Sequence, residues 1–76
     1  MSSYYHGTSE ENWEEIKKRG LRRGSYISND LEVAEFNKTD LVLELSIPKS
    51  WVKEIDYPDH FLTLRIVPPS RIKKLV

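Results

Sequence analysis

With 76 residues the chain makes one domain, 1–76, with no room for a second core; a domain of this size buries only about 60% of the surface its unfolded chain exposes. It has no cysteine, which excludes disulfides and thiolate metal sites, and its two histidines lie far apart in sequence, which argues against zinc. Twelve basic side chains balance twelve acidic ones, so no general electrostatic grip on nucleic acid or an anionic membrane is advertised.

No apolar run approaches the roughly 20 residues of a membrane span, and no signal-peptide pattern opens the sequence. The expectation is a soluble, cytoplasmic protein with no membrane partner. Met1 to Ser3 read as a loose end, and Tyr4 and Tyr5 favour a strand. Gly7 then turns the chain into a helix that Thr8 or Ser9 caps, with Thr8-Ser9-Glu10-Glu11 at capping-box spacing. The helix runs to about Arg19: Trp13 and Ile16 give it a narrow apolar stripe, and Glu14 is placed to pair with Lys17 or Lys18. Gly20 is a left-handed stop, after which Leu21 folds back on the last turn.

Arg22, Arg23 and Gly24 form a basic loop, either a solvated connection or a seat for phosphate. Ser25 to Ser28 is a second short strand, and Asn29 or Asp30 caps a short helix carrying Val33, Ala34 and Phe36, closed by a polar loop over 37–40. Leu41 to Ile47 carries the clearest strand pattern. Leu41, Leu43, Leu45 and Ile47 alternate with Val42, Glu44 and Ser46, as in a strand with one buried face, and Pro48 ends it. Lys49 to Ile55 fits either a strand or a helical turn. Asp56-Tyr57-Pro58-Asp59 is a turn. Phe61 to Val67 alternates again, Pro68-Pro69 breaks the ladder, and Arg71 to Val76 makes a final edge strand. The fold class expected is α+β: a small, mostly antiparallel sheet with two short helices.

The stretch Tyr4 to Ser9 brings an imidazole, a hydroxyl and unpaired backbone N–H groups to one strand-turn-helix junction. A capped helix after an aromatic strand, with His6 a half-buried edge residue, explains the same stretch without a ligand. Several motifs in order say more. Tyr5-His6-Gly7-Thr8, the helix end at Ile16, Gly20 and Leu21, then Ile27-Ser28-x-Asp30, Ala34 and the closing Val67-Pro68-Pro69-Ser70-Arg71-Ile72 together resemble the ADP-ribosyltransferase superfamily. The likeness is to its diphtheria-toxin and poly-ADP-ribosyltransferase branch, and equally to its RNA 2'-phosphotransferase branch.

The resemblance implies a split sheet that binds NAD as a substrate. His6 would hydrogen-bond the adenosine ribose, the backbone of Gly7 would hold the nicotinamide amide, and Thr8 or Ser28 would support the nicotinamide ribose. In the phosphotransferase branch an arginine just before the second strand grips phosphate, and Arg22 stands at about that place. Aligned on Ser28-x-Asp30, the family's stacking aromatic falls on Ile27, with Tyr26 one position early. A one-residue step reverses a strand side chain, so Tyr26 stacks only if a bulge or slip intervenes. The late-strand glutamate usual in these transferases is absent, and its place is held by Asp59, His60 or Phe61. Asp59 would act with a shorter reach, and His60 as a base.

Three functions follow as expectations. The first is cleavage of NAD at the nicotinamide–ribose bond, with transfer of ADP-ribose to an unknown macromolecular acceptor or to water. The second is a non-catalytic module for NAD, ADP-ribose or a phosphorylated RNA end held by Arg22, Arg23 and His6. The third is a protein-interaction or inhibitor domain using Trp51, Tyr57 and Phe61, although core filling suits at least one of these aromatics. A domain this small can also form a homodimer to bury enough apolar surface.

Overall fold

A computed structural model describes residues 1–36, 40–55 and 60–75. Leu41 to Ile47 forms the strand around which the others gather, since its neighbours pair with it on both sides. In chain order the elements are β1 (Ser2–Thr8), α1 (Glu10–Arg19), β2 (Tyr26–Ser28), α2 (Leu31–Phe36), β3 (Leu41–Ile47), β4 (Val52–Glu54), β5 (His60–Thr63) and β6 (Ile72–Lys74). Single 3-10 turns span Lys49–Trp51 and Pro69–Arg71. The strands form one six-stranded sheet in the order β4-β5-β2-β1-β3-β6, and each neighbouring pair is antiparallel. The fold is α+β, as its sequence pattern leads one to expect. No helix among the described residues is long and apolar enough to cross a membrane.

The sheet is curled, and the chain's own connectivity requires it. Only residues 48–51 link β3 to β4, which stand four positions apart in the strand order. A flat sheet would separate them by about 19 Å. The link reaches at most about 17 Å fully extended, and its last three residues are coiled in a turn. Curling brings the ends of the sheet together around the core. Register fixes which residues face inward. Tyr4 pairs with Leu45, His6 with Leu43 and Thr8 with Leu41, so these share the inner face, where Leu41, Leu43, Leu45 and Ile47 are buried. Ile16 of α1 and the bridged pair Leu21 and Val67 complete that core. Val42 belongs to the opposite face and is buried as well, because α2 lies over that side of β1 and β3.

Several local expectations need correction. The first strand begins at Ser2, because β1 pairs with β3 along its whole length from Ser2↔Ile47 to Thr8↔Leu41. Ser9 is the cap of α1: its hydroxyl accepts from the Asn12 N–H at 3.1 Å, so the box spacing from Thr8 to Glu11 is not used. Gly20 closes the helix at φ 87° and ψ 177°, an extended glycine-only conformation rather than the helical left-handed one, while its N–H donates to the Ile16 carbonyl at 2.7 Å. Leu21 crosses to Val67 as an isolated antiparallel bridge, and its side chain shares the core cluster with Ile16 of α1. The segment 49–55 is turn and strand in succession. The alternating run after Phe61 leaves the sheet at Thr63, and Leu64 and Ile66 face solvent. Asp30 starts α2, its carboxylate accepting from the Glu32 N–H at 2.9 Å. The expected turn at Asp56 to Asp59 and most of the polar loop over 37–40 lie outside the described residues.

Candidate functional site

The sheet is narrowest between β1 and β2. These strands share one register pair, Tyr5↔Ser28, whereas β1 and β3 share seven. Beyond Tyr5, β1 runs on through His6, Gly7 and Thr8 while β2 ends at Tyr26, and the two diverge into a wedge. His6 bridges that wedge: its Nδ1 lies 2.7 Å from the Tyr26 carbonyl oxygen. A carbonyl only accepts, so Nδ1 carries the proton and donates. Burial pushes the imidazole below its ordinary pKa, outweighing the opposite effect of the bond to Tyr26, so the ring is neutral at pH 7. Nε2 is then an acceptor, and it has no hydrogen-bond partner among the described residues. A neutral imidazole held by one nitrogen and open at the other suits a hydroxyl group of a ligand.

Two clefts adjoin this ring. The larger, of about 640 Å³, lies on the α1 side. Its floor has His6 and Thr8, one wall is the stripe Asn12, Glu15, Ile16 and Arg19 of α1, and its rim is the turn Arg22-Arg23-Gly24. The smaller, of about 130 Å³, lies on the α2 side between Tyr5, His6, Gly7, Tyr26, Ser28 and His60. His6 lines both. The larger volume falls in the range of small-molecule sites, about 300–1,000 Å³. Electrostatically it presents three arginines against one carboxylate, Glu15, whose Oε2 lies 3.5 Å from Arg19. An anionic ligand with hydroxyl groups fits that lining best.

The basic rim is held by a residue on another strand. Thr63, itself 2% exposed, makes four hydrogen bonds to the turn. Its hydroxyl donates to the Arg22 carbonyl at 2.9 Å and accepts from the Ser25 N–H at 3.0 Å. Its carbonyl accepts from the Gly24 N–H at 2.8 Å, and its own N–H donates to the Ser25 carbonyl at 3.0 Å. Ser25 adds a bond from its hydroxyl to the Arg22 carbonyl at 2.6 Å. Gly24 sits at φ 81° with open space around it, so the glycine is needed for the backbone conformation rather than for room. The arginines themselves are exposed; the peptide that carries them is fixed.

The structure divides the expected site residues between the clefts. His6, Thr8 and Arg22 line the larger; His6, Gly7, Tyr26, Ile27, Ser28 and His60 line the smaller. Ladder register resolves the two aromatic alternatives. Tyr26, Ile27 and Ser28 pair in step with Leu62, Phe61 and His60, with no bulge. Ile27 therefore points into the core, 3% exposed, whereas Tyr26 is on the α2 face and 67% exposed. Ser28 is buried and its hydroxyl accepts from the Asp30 N–H at 3.0 Å, which ties it to the start of α2. His60 stands directly across the ladder from Ser28. Asp59 lies outside the described residues. Among the described residues no group of three or more histidine, aspartate or glutamate side chains gathers as metal ligands do.

Sequence reasoning missed Asn12, Glu15, Arg19 and Thr63. The three on α1 had a signal, since positions 12, 15, 16 and 19 repeat at the spacing of one helix face. Thr63 had none, because its role depends on a strand meeting a turn 38 residues earlier in the chain. Of the aromatics considered for a contact patch, Phe61 stacks edge-on against Tyr4, ring centroids 5.3 Å apart, and Trp51 packs against the core with Arg65 over its ring. Tyr57 lies outside the described residues. In comparisons with known proteins, no family model, no curated protein and no solved structure matches the chain.

Proposed function

We propose that the domain binds NAD or its ADP-ribose portion at the wedge between β1 and β2, in the manner of a minimal ADP-ribosyltransferase-like fold. The observation that carries this reading is the neutral His6, fixed through Nδ1 to Tyr26 and open at Nε2 beneath a rim of arginines. A ribose hydroxyl donates to Nε2, and the pyrophosphate meets Arg22 and Arg23. The single-rung joint between β1 and β2 supports the split-sheet aspect of the resemblance. Transfer of ADP-ribose to a macromolecular acceptor, or hydrolysis of NAD, is the chemistry that the resemblance adds.

Calorimetric titration with NAD and with ADP-ribose tests the binding. Both are expected to bind, and His6→Ala is expected to weaken binding about tenfold, the worth of one net hydrogen bond. Unchanged affinity in His6→Ala removes the wedge from consideration. A second reading, catalysis, is favoured by one observation: His60 shares the smaller cleft with Gly7 and Ser28. Nicotinamide release from NAD, lost in His60→Ala or Asp59→Asn, is the expected outcome under it. Binding without release identifies a module that has kept the pocket and not the reaction.

A further inference from the structure

All five arginines of the chain fall in two short stretches, 19–23 and 65–71, separated in sequence by most of the sheet. The fold lays these stretches side by side. Leu21 and Val67 exchange N–H···O bonds of 2.8 and 2.9 Å, and Gly24 and Ser25 are bonded to Thr63. Arg22 and Arg23 thus run opposite Arg65 between two fixed points. Arg71 joins the group at Trp51, where the guanidinium carbons of Arg65 and Arg71 stand 4.3 and 5.9 Å from the ring centroid. Arg19 alone has a carboxylate partner, Glu15; Arg22, Arg23, Arg65 and Arg71 have none among the described residues. A chain of zero net charge therefore has one strongly basic end.

We propose that this end is a docking surface for a single-stranded nucleic acid, whose phosphodiester groups engage Arg22, Arg23, Arg65 and Arg71. Every cation concerned is a guanidinium, whose planar fork matches phosphate oxygens two at a time. The surface also offers what bases need. The exposed guanidinium of Arg65, lying over Trp51, is a flat stacking face, and Leu64 and Ile66, 44% and 59% exposed, flank it with apolar surface. Two aliphatic side chains are too few to anchor a bilayer, and an acidic polypeptide has no use for stacking faces. The surface shares Arg22 and Arg23 with the pyrophosphate seat proposed above, whereas Arg65 and Arg71 do not line that cleft, so R65Q/R71Q tests strand binding apart from nucleotide binding.

The test is fluorescence anisotropy of a labelled oligouridylate across about 50–200 mM salt. Four phosphate contacts give a slope of log K against log salt near −2.8, at about −0.7 per contact for a single strand. R65Q/R71Q is expected to halve that slope to about −1.4, while R65K/R71K, which keeps both charges, holds the slope and weakens binding. R22Q, on the exposed loop, lowers the slope by about 0.7 and serves should the double variant unfold. An unchanged slope in R65Q/R71Q or in R22Q overturns the proposal. So does competition by polyglutamate or by phosphatidylserine vesicles as strong, charge for charge, as that of unlabelled RNA.

Discussion

At the scale of single residues, His6 and Thr63 decide the site, and each does so through a hydrogen bond that only the folded chain makes. Thr63→Val keeps the shape and removes the hydroxyl, so the Arg22 carbonyl and the Ser25 N–H each lose a partner. The expected cost is about 1–3 kcal/mol of stability, measured by urea denaturation. His6 carries a pH dependence with a definite sign. Unfolded, the imidazole takes its proton near pH 6.5; folded, burial lowers that pKa. Between the two values the unfolded chain binds more protons. His6's contribution is therefore complete above about pH 6.5 and is lost as pH falls through the folded pKa. In His6→Asn, whose amide can still donate to the Tyr26 carbonyl, the fall in stability on acidification should shrink. An identical pH profile in both proteins would assign the effect to other groups. Proton NMR titration of the His6 ring should give a midpoint below 6.5.

At the scale of elements, two glycines at similar φ separate conformational strain from collision. A Cβ on Gly20 would lie 2.3 Å from the Val67 carbonyl oxygen, at the bridge that closes the core, whereas one on Gly24 meets nothing within 4 Å. Gly24→Ala should cost about 1–2 kcal/mol, the strain of a left-handed alanine. Gly20→Ala adds a backbone clash and should cost about 3 kcal/mol or more. Chemical denaturation of the two variants measures the difference. The same contrast explains what was legible in the sequence. The body of α1 and all of β3 could be read directly, because capping, charge order and alternation are local properties. The end of β5 could not: Leu64 and Ile66 continue the apolar alternation, yet the chain turns out at Thr63 so that Val67 can meet Leu21. His6 and Gly7, which line the smaller cleft, could be singled out as candidates because their motif is a single run of neighbouring residues. The α1 wall and the Thr63 support were hidden, since only tertiary packing brings them into place.

At the scale of the whole molecule, the unequal ladders divide the sheet into parts of different strength. Seven register pairs join β1 to β3 and three join β3 to β6, but one pair and one imidazole join β1 to β2. Native-state hydrogen exchange should find the strongest protection in β1 and β3, with the amides of β2, β5 and β4 opening at lower free energy as a group. NAD bound in the wedge should raise protection on both sides of the joint; a rise confined to one side would place the ligand elsewhere. The edges of the sheet have a consequence of their own. β4 and β6 are each three residues long and carry exposed lysines, Lys53 on one and Lys73 and Lys74 on the other. Neither rim offers a second copy a ladder to extend, since adding a strand would bury ammonium groups beside one another. Self-association of this protein, where it occurs, then has to proceed face to face, and concentrated solutions should stay clear of fibrils.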